Sequence, residues 1–203
     1  MGALSKTGTQ LGGPLDRRDV VAALLADRGE TLVVTGLGSA SYDVMAAGDN
    51  DHNYYLWAAM GSAAMVGLGI ATARPDRSVL VVTGDGELMM GFGALATIGI
   101  RRPANLTIAV LDNGHFGETG LQESHAGRGV EIDRVAAELG FGWTRRIDEM
   151  AGVEELRGII ADRSSTKLAT IKIRAENPER VLPPRDGVYI KNRFRAALGH
   201  API

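Results

Sequence analysis

Two polar turns carry the residue types with the clearest chemical potential. Gly84-Asp85-Gly86 follows one apolar run, and Asp112-Asn113 follows the next. Asp85 and Asn113 are 28 positions apart, so one strand–helix–strand unit would bring both to the same edge of a parallel sheet. A carboxylate and an amide oxygen are hard ligands for Mg²⁺, which usually completes its shell with phosphate oxygens. The two turns therefore predict a divalent metal that holds a diphosphate.

The elements that must position these turns follow from the hydrophobic pattern. Apolar strand-like runs alternate with helix-like segments, which predicts an α/β fold with a doubly wound, mostly parallel sheet flanked by helices. The predicted strands are 31–35, 79–82, 106–111, 142–147 and 168–173. Two helices rich in small residues are predicted over 57–73 and 88–100, and residues 49–55 are predicted as a surface or interface loop. The side chains predicted to cap helices are Asp16, Ser39, Asp133 and Asp148.

The domain organisation predicted from the sequence is simple. At 203 residues and 45% hydrophobic content, one domain with a substantial core is expected. We assign residues 1–14 to a flexible lead-in, 15–176 to the folded domain and 177–203 to a basic C-terminal tail. The cluster Lys191 to Arg195 in this tail is interpreted as a solvated or subunit-contacting segment, and the alternative is that it binds an anionic phosphonate or sulfonate group.

Composition excludes several classes of function. The formal net charge is −2, which argues against nucleic acid as the main partner. The chain has no cysteine, so disulfides, thiolate metal sites and cysteine nucleophiles are excluded. Neither a signal peptide nor an apolar run long enough to span a membrane is recognisable, so a cytoplasmic protein without a membrane partner is expected.

The loop that follows the first predicted strand has two interpretations. Gly36-Leu37-Gly38-Ser39 resembles the start of a dinucleotide-binding fingerprint, but the third glycine is missing. Such a loop can donate backbone N–H groups to phosphate oxygens. The alternative is that its glycines simply permit a tight turn, and both interpretations remain open on this loop alone.

The combined motifs resemble those of thiamine diphosphate-dependent enzymes. Gly84-Asp85-Gly86 followed by Asp112-Asn113 looks like their cofactor fingerprint, over a region of about residues 30–175. The segment 52–61 and the loop 112–120 are similar to those of sulfopyruvate decarboxylase β subunits and phosphonopyruvate decarboxylases. Ala58-Ala59 and Glu118 depart from the Gly-Ser and Ser of that group.

The resemblance implies roles for individual residues. Asp85 and Asn113, with the carbonyl of His115, are expected to bind Mg²⁺. Met60 is expected to sit between the two rings of the cofactor, and the carbonyl of Ala58 to accept a hydrogen bond from its 4′-amino group. The remaining residues expected to contact the cofactor are Gly36, Gly38, Ser39, Gly84, Gly86, Glu87 and Phe116, where the amides of Gly86 and Glu87 hold diphosphate oxygens. His115, His52 and Glu118 are candidates for contact with the substrate.

The same resemblance implies the reaction and the partner. A subunit of a decarboxylase of a small 2-oxo acid is expected, with the activating glutamate on a pyrimidine-binding-domain subunit in a heterodimer or heterotetramer. The alternatives are a carboligase, a subunit of a 2-oxoacid oxidoreductase, or a subunit that binds the cofactor without catalysis. Oxidoreductase chains of this kind often carry cluster-binding cysteines, and this chain has none.

Overall fold

The computed structural model of the protein describes residues 11–203. Within this range the strands are β1 (Leu32–Thr35), β2 (Asn53–Tyr55), β3 (Val79–Gly84), β4 (Leu106–Asp112), β5 (His115–Phe116), β6 (Gln122–Glu123), β7 (Trp143–Ile147) and β8 (Lys167–Lys172). The helices are α1 (Arg17–Leu25), α2 (Ser39–Ala46), α3 (Ala63–Ala73), α4 (Asp85–Met90), α5 (Gly93–Arg101), α6 (Ile132–Glu138), α7 (Met150–Ile160) and α8 (Gly187–Ala197). A 3₁₀ helix covers Gly117–Thr119.

The sheet is parallel throughout and confirms the predicted fold class. Its strand order is β2-β1-β3-β4-β8-β7, with helices on both faces. The three central strands β1, β3 and β4 are fully buried except for the last residue of β3. Such continuous apolar runs are expected of strands covered on both faces. β5 and β6 form a separate antiparallel hairpin after β4.

The hydrophobic core lies in two clusters, one on each face of the sheet. One face is covered by α3, α5 and α6, with residues such as Leu95 and Ile98 fully buried. The other is covered by α1, α2 and α7, with Val20 and Leu156 fully buried. Because both faces are covered, the open positions for a ligand lie at the carboxyl edge of the sheet.

One strand of the main sheet was not predicted, and neither was the β5–β6 hairpin. Residues 53–55, inside the predicted surface loop, form β2 and pair with β1 at the edge of the sheet. Asn53 and Tyr55 are buried, and the Asn53 amide donates to the Tyr55 hydroxyl at 2.8 Å. The strand was missed because its residues are polar or aromatic. They can be buried because their polar groups form hydrogen bonds with one another inside the protein.

The two predicted small-residue helices differ from the observed ones. The first begins at Ala63 rather than at residue 57, because Ala59 and Gly61 have positive φ values of 60° and 95° and cannot continue a helix. The second is divided into α4 and α5 around Gly91. A Cβ atom at Gly91 would lie 2.0 Å from the carbonyl oxygen of Gly61, so the backbone breaks where these two glycines meet.

The predicted helix caps were right at one position of four. The Asp16 side chain accepts hydrogen bonds from the backbone N–H groups of Arg18 and Asp19. The other three caps were wrong by one or two residues, because the structure begins those helices after Gly38, Glu131 and Glu149. None of these three residues makes a side-chain cap, so the sequence carried no clear signal of the boundary.

Both predicted terminal segments contact the folded domain where they are described. Residues 1–10 of the lead-in lie outside the described part of the chain. Gly13 N–H donates to the Ile173 carbonyl at 2.7 Å, so the next residues pair with the chain that follows β8.

The C-terminal tail contains α8, with Ile190 and Phe194 buried against the domain. Within the tail, Arg193 pairs with Asp49 at 2.7 Å beside β2, and does not line the cavity described below. In residues 11–203 no helix is both long and apolar enough to cross a membrane.

Candidate functional site

A cavity of about 190 Å³ opens at the carboxyl edge of the sheet. The loops after β1, β3 and β4 form most of its wall, and the loop before α3 contributes Met60. The predicted site residues that line it are Ser39, Met60, Gly84, Asp85, Gly86, Glu87, Asn113, His115, Phe116 and Glu118. The structure therefore brings most of the predicted site together around one space.

Asp85 is a buried carboxylate at the start of α4. Its side chain accepts a hydrogen bond from the hydroxyl of Ser124, a buried residue 39 positions further along the chain. Burial raises the pKa of Asp85 to about 6, helped by the neighbouring charge of Asp112, although the hydrogen bond from Ser124 opposes this rise. A buried carboxylate that is costly to ionise gains strongly from a cation, so its environment suits a metal ligand.

Asp112 makes structural contacts within the protein, unlike its neighbour Asn113. One of its carboxylate oxygens accepts from the Gly114 N–H at 2.9 Å, and the other accepts from the ammonium of Lys172 at 2.7 Å. With both oxygens occupied, Asp112 fixes the turn and does not line the cavity.

Asn113 and His115 are joined by two hydrogen bonds. The side-chain oxygen of Asn113 accepts from the His115 N–H at 2.9 Å, and its backbone carbonyl lies 2.8 Å from His115 Nδ1. This carbonyl requires Nδ1 to carry the proton, which leaves Nε2 of a neutral ring as an acceptor. The Asn113 oxygen keeps a second lone pair for another ligand.

The polypeptide after His115 folds back beneath the turn that carries Asn113. The Ser124 N–H donates to the Gly114 carbonyl at 2.8 Å, and a Cβ atom at Gly127 would lie 2.2 Å from that same oxygen. Gly127 is therefore needed for close approach of two backbones. This packing brings Ser124 next to Asp85.

The glycines of the central turn make room for an aromatic ring. A Cβ atom at Gly86 would lie 2.5 Å from the ring of Phe116. Gly36, after β1, is similarly close to Glu87 and Thr83, with a Cβ at 3.2 Å and 3.0 Å from their side chains. Neither position readily accommodates a larger side chain, and the Gly36 N–H donates to the Val82 carbonyl at 2.8 Å.

The side chain of Glu87 forms hydrogen bonds that hold a neighbouring loop, in addition to the position of its backbone in the turn. Its carboxylate is buried and accepts from the N–H groups of Gly61 at 2.9 Å and Ala63 at 3.4 Å, and also from the Thr83 hydroxyl. These bonds attach the loop that carries Met60 to the turn that carries Asp85. The predicted role concerned only the backbone amide, so this function of the side chain was missed.

The loop before α3 presents Met60 to the cavity with 42% of its surface exposed. Ala59 is held in a left-handed conformation, which is unfavourable for a residue with a Cβ atom. Ala58 is exposed and does not line the cavity. The structure thus places Met60 as expected of a side chain that contacts a ligand in this cavity.

Glu118 connects two parts of the cavity wall. One carboxylate oxygen accepts from the Ser39 hydroxyl at 3.0 Å, and the other accepts from Arg180 at 2.6 Å. Gly38 adopts a φ of 73° directly opposite Glu118. Glu118 therefore ties the loop after β1 to the C-terminal segment.

His52 does not lie with the other predicted site residues. It precedes β2, and its carbonyl accepts from Val33 N–H near the amino-terminal end of β1. Burial and the neighbouring charges of Arg77 and Arg28 lower the pKa of His52. The candidate role of His52 in catalysis is thus not supported within this chain, because the cavity is at the opposite edge of the sheet.

The donor set limits what kind of metal could bind. Across residues 11–203 no group of three or more His, Cys, Asp or Glu side chains is arranged to hold a metal ion. Asp85 and Asn113 provide two oxygen donors, so further ligands must come from backbone carbonyls, water or a bound anion. This combination fits Mg²⁺ with a diphosphate, because Mg²⁺ usually retains phosphate and water oxygens in its shell.

Two residues of the site gave no recognisable signal in the sequence. Ser124 lies in a polar loop where many residues could have reached Asp85. Arg17 is the first residue of α1, far earlier in the chain, and it also lines the cavity. Both contacts depend on how distant segments pack and could not be read from local sequence.

Comparison with known proteins agrees with this geometry. The family model described as "Thiamine pyrophosphate enzyme, C-terminal TPP binding domain" matches residues 36–165. The β subunit of sulfopyruvate decarboxylase from Methanocaldococcus jannaschii is 33% identical over 126 residues, which cover 62% of this chain and 66% of that protein. Phosphonopyruvate decarboxylase from Streptomyces viridochromogenes is 34% identical over 177 residues, which cover 85% of this chain and 43% of that protein.

A solved structure shows the same fold. Benzoylformate decarboxylase from Polynucleobacter necessarius superimposes with a TM-score of 0.66 at 14% identity, over 81% of this chain and 34% of that one. The chain thus spans about a third to two thirds of the length of these proteins. Together with the match over residues 36–165, these findings show that the chain belongs to the thiamine pyrophosphate enzyme family, as its C-terminal TPP-binding domain.

Proposed function

We propose that this chain binds the diphosphate–Mg²⁺ half of thiamine diphosphate in a decarboxylase of a small 2-oxo acid. The observation that carries the proposal is the meeting of Asp85 and Asn113 at one cavity, after two adjacent parallel strands. The likeness to sulfopyruvate and phosphonopyruvate decarboxylases supports this class of substrate. When bound, the cofactor supplies an electron sink for the carbon that loses carboxylate.

The residues of the chain would divide the binding between them. Asp85, held by Ser124, would offer its other carboxylate oxygen to Mg²⁺, together with the side-chain oxygen of Asn113 and the carbonyl of His115. In the loop from Gly36 to Ser39, the backbone N–H groups after Gly36 would donate to phosphate oxygens, since the loop leads into α2 and the Gly36 N–H already donates to the Val82 carbonyl.

Other residues would orient the cofactor and close its site. Phe116 lies over Gly86 and would exclude water from the diphosphate. Met60 would support the bent cofactor from below, because an unbranched apolar side chain fills shape without exchanging protons. His115 and Glu118 line the same cavity and are the candidates for contact with the substrate.

A second polypeptide is part of the proposal. The pyrimidine half of the cofactor would be bound by a pyrimidine-binding-domain subunit that provides the activating glutamate, in a heterodimer or heterotetramer. The name "subunit beta" of the relative from Methanocaldococcus jannaschii supports such an assembly.

The test is a decarboxylation assay with defined components. The chain is combined with the product of a neighbouring reading frame that encodes a pyrimidine-binding domain, and CO₂ release is measured from sulfopyruvate, phosphonopyruvate and pyruvate. Release is expected only when both chains, Mg²⁺ and thiamine diphosphate are present. Turnover by this chain alone would contradict the need for a partner, and no release from any 2-oxo acid would favour a non-catalytic subunit.

A further inference from the structure

A buried arginine lines the cavity without a role in the site described so far. Arg17 is the first residue of α1, is only 4% exposed, and lines the cavity, as Ser39 and Ile173 also do. A buried guanidinium has a high desolvation cost and is normally retained with anionic partners. The desolvation cost of the Arg17 guanidinium in the cavity wall must therefore be offset by anionic partners.

One such partner is Asp43, in a buried ion pair that fixes the side chain. Arg17 Nε donates to Asp43 Oδ2 at 2.7 Å, and Asp43 is 1% exposed on α2. Arg18 contacts the other carboxylate oxygen of Asp43 at 2.6 Å. Two guanidinium groups thus share one carboxylate, which leaves a net positive charge at this point.

The two arginines differ in what the rest of their guanidinium groups contact. Arg18 donates from Nη2 to the carbonyl of Glu179 at 2.6 Å and does not line the cavity. Among residues 11–203, Nη1 and Nη2 of Arg17 donate no hydrogen bond to protein. These two NH₂ groups form the end of the guanidinium that can make a bidentate contact with an anion.

The charges around the cavity leave Arg17 as the cation available to an anion. The acidic side chains that line the cavity are Asp85, Glu87 and Glu118. In the described part of the chain, no lysine and no other arginine lines it. A bound Mg²⁺ would neutralise only part of the charge of a diphosphate, and Arg17 is placed to neutralise more.

We infer that Arg17 binds the terminal phosphate of the cofactor, an inference that rests on the proposed function. We assign a phosphate rather than the anionic group of a substrate to Arg17 because of the other residues that line this part of the cavity. Ser39 and Ala40 border the same cavity at the start of α2, where a phosphate is expected. Asp43 on the same helix holds Arg17 in place, so the loop after β1 and the arginine form one phosphate-binding unit.

Calorimetric titration of the purified chain tests this inference. Mg²⁺ with inorganic pyrophosphate, and Mg²⁺ with thiamine diphosphate, are titrated into wild type, R17Q and R18Q. R17Q is expected to weaken both ligands about tenfold or more, since it removes a charge-assisted bidentate contact. R18Q is the matched control, because it also removes a contact with the Asp43 carboxylate but removes no group that lines the cavity, and it should change affinity less than about twofold.

A second pair of variants covers a failure to fold. If R17Q unfolds, R17Q/D43N and R18Q/D43N are compared, because both lack the buried carboxylate that would otherwise lose a partner. The inference predicts the same difference between them, while R17K should restore part of the lost affinity.

The outcomes separate this inference from the proposed function. If wild type binds neither ligand in the presence of Mg²⁺, the proposed function is overturned, and this inference with it. If wild type binds both and R17Q matches R18Q, this inference alone is overturned. Unchanged pyrophosphate binding by R17Q, with a raised KM for the 2-oxo acid in the two-chain enzyme, would also overturn it and assign Arg17 to the substrate.

Discussion

The carboxylate of Glu87 accepts a hydrogen bond from the backbone N–H of Gly61, with Oε1 and N separated by 2.9 Å. Glu87 belongs to the turn that carries Asp85, and Gly61 directly follows Met60. One buried side chain therefore joins the part of the site proposed to bind metal and diphosphate to the part proposed to support the cofactor rings.

Replacing Glu87 with alanine should affect both parts at once. The substitution leaves the Gly61 and Ala63 N–H groups without a buried acceptor, and we expect a loss of about 2–4 kcal/mol in the free energy of unfolding. Urea denaturation measures this loss. Thiamine diphosphate affinity should fall as well, because the Met60 loop is no longer held.

E154A is the matched control for this substitution. Glu154 is half exposed and pairs with Arg157 on the surface of α7, so its loss should change stability by less than about 1 kcal/mol. Equal stability of E87A and E154A would contradict the proposed positioning role.

The buried carboxylate of Asp85 should destabilise the metal-free chain at neutral pH. Its pKa is raised from 3.8 to about 6, so the folded state binds more protons than the unfolded state between these values. The contribution of this group to the free energy of unfolding is therefore fully present below about pH 4. It is lost as the pH rises through 6, and the total loss is about 3 kcal/mol. D85N removes the charge.

Thermal or urea unfolding in EDTA checks the effect of Asp85. D85N should be more stable than wild type at pH 7, and the difference should decrease as the pH falls toward 4. Added Mg²⁺ with pyrophosphate should stabilise wild type and leave D85N unchanged. A pH-independent difference would show that the charge of Asp85 is not the cause.

Two glycines of α3 should respond in opposite directions to alanine. A Cβ atom at Gly67 would lie 2.3 Å from Val81 Cγ2, so G67A must displace β3 and should cost about 1–3 kcal/mol. Gly69 has no atom within 4 Å of that position, and G69A should stabilise the isolated chain by up to about 1 kcal/mol. Denaturation of both variants under the same conditions measures the difference, and the same sign for both would contradict the packing described for α3.

The central turns were predictable because local sequence determines them. Residues 79–82 and 106–111 are long apolar runs that end at polar turns, and the parallel register then places Asp85 and Asn113 at one edge. The edge strand β2 was missed because three polar or aromatic residues give no apolar alternation.

Contacts between distant segments could not be predicted in the same way. Ser124 contacts Asp85 only because a loop folds under Gly114. His52 lies outside the site because it precedes β2, at the opposite end of the parallel strands. Residue roles could be inferred from the motifs that this chain shares with the family. A motif does not specify which side chain of a distant polar loop packs against it.

The most direct measurement is calorimetric binding of thiamine diphosphate to wild type and to the double variant D85N/N113A, each with Mg²⁺ and with EDTA. Wild type should bind with Mg²⁺ and lose most of its affinity in EDTA, because Asp85 and Asn113 act through the metal. The double variant should bind at least about a hundredfold more weakly with Mg²⁺, since two ligands are lost. Binding by wild type that ignores EDTA, or binding by the double variant with the affinity of wild type, would contradict the metal–diphosphate site.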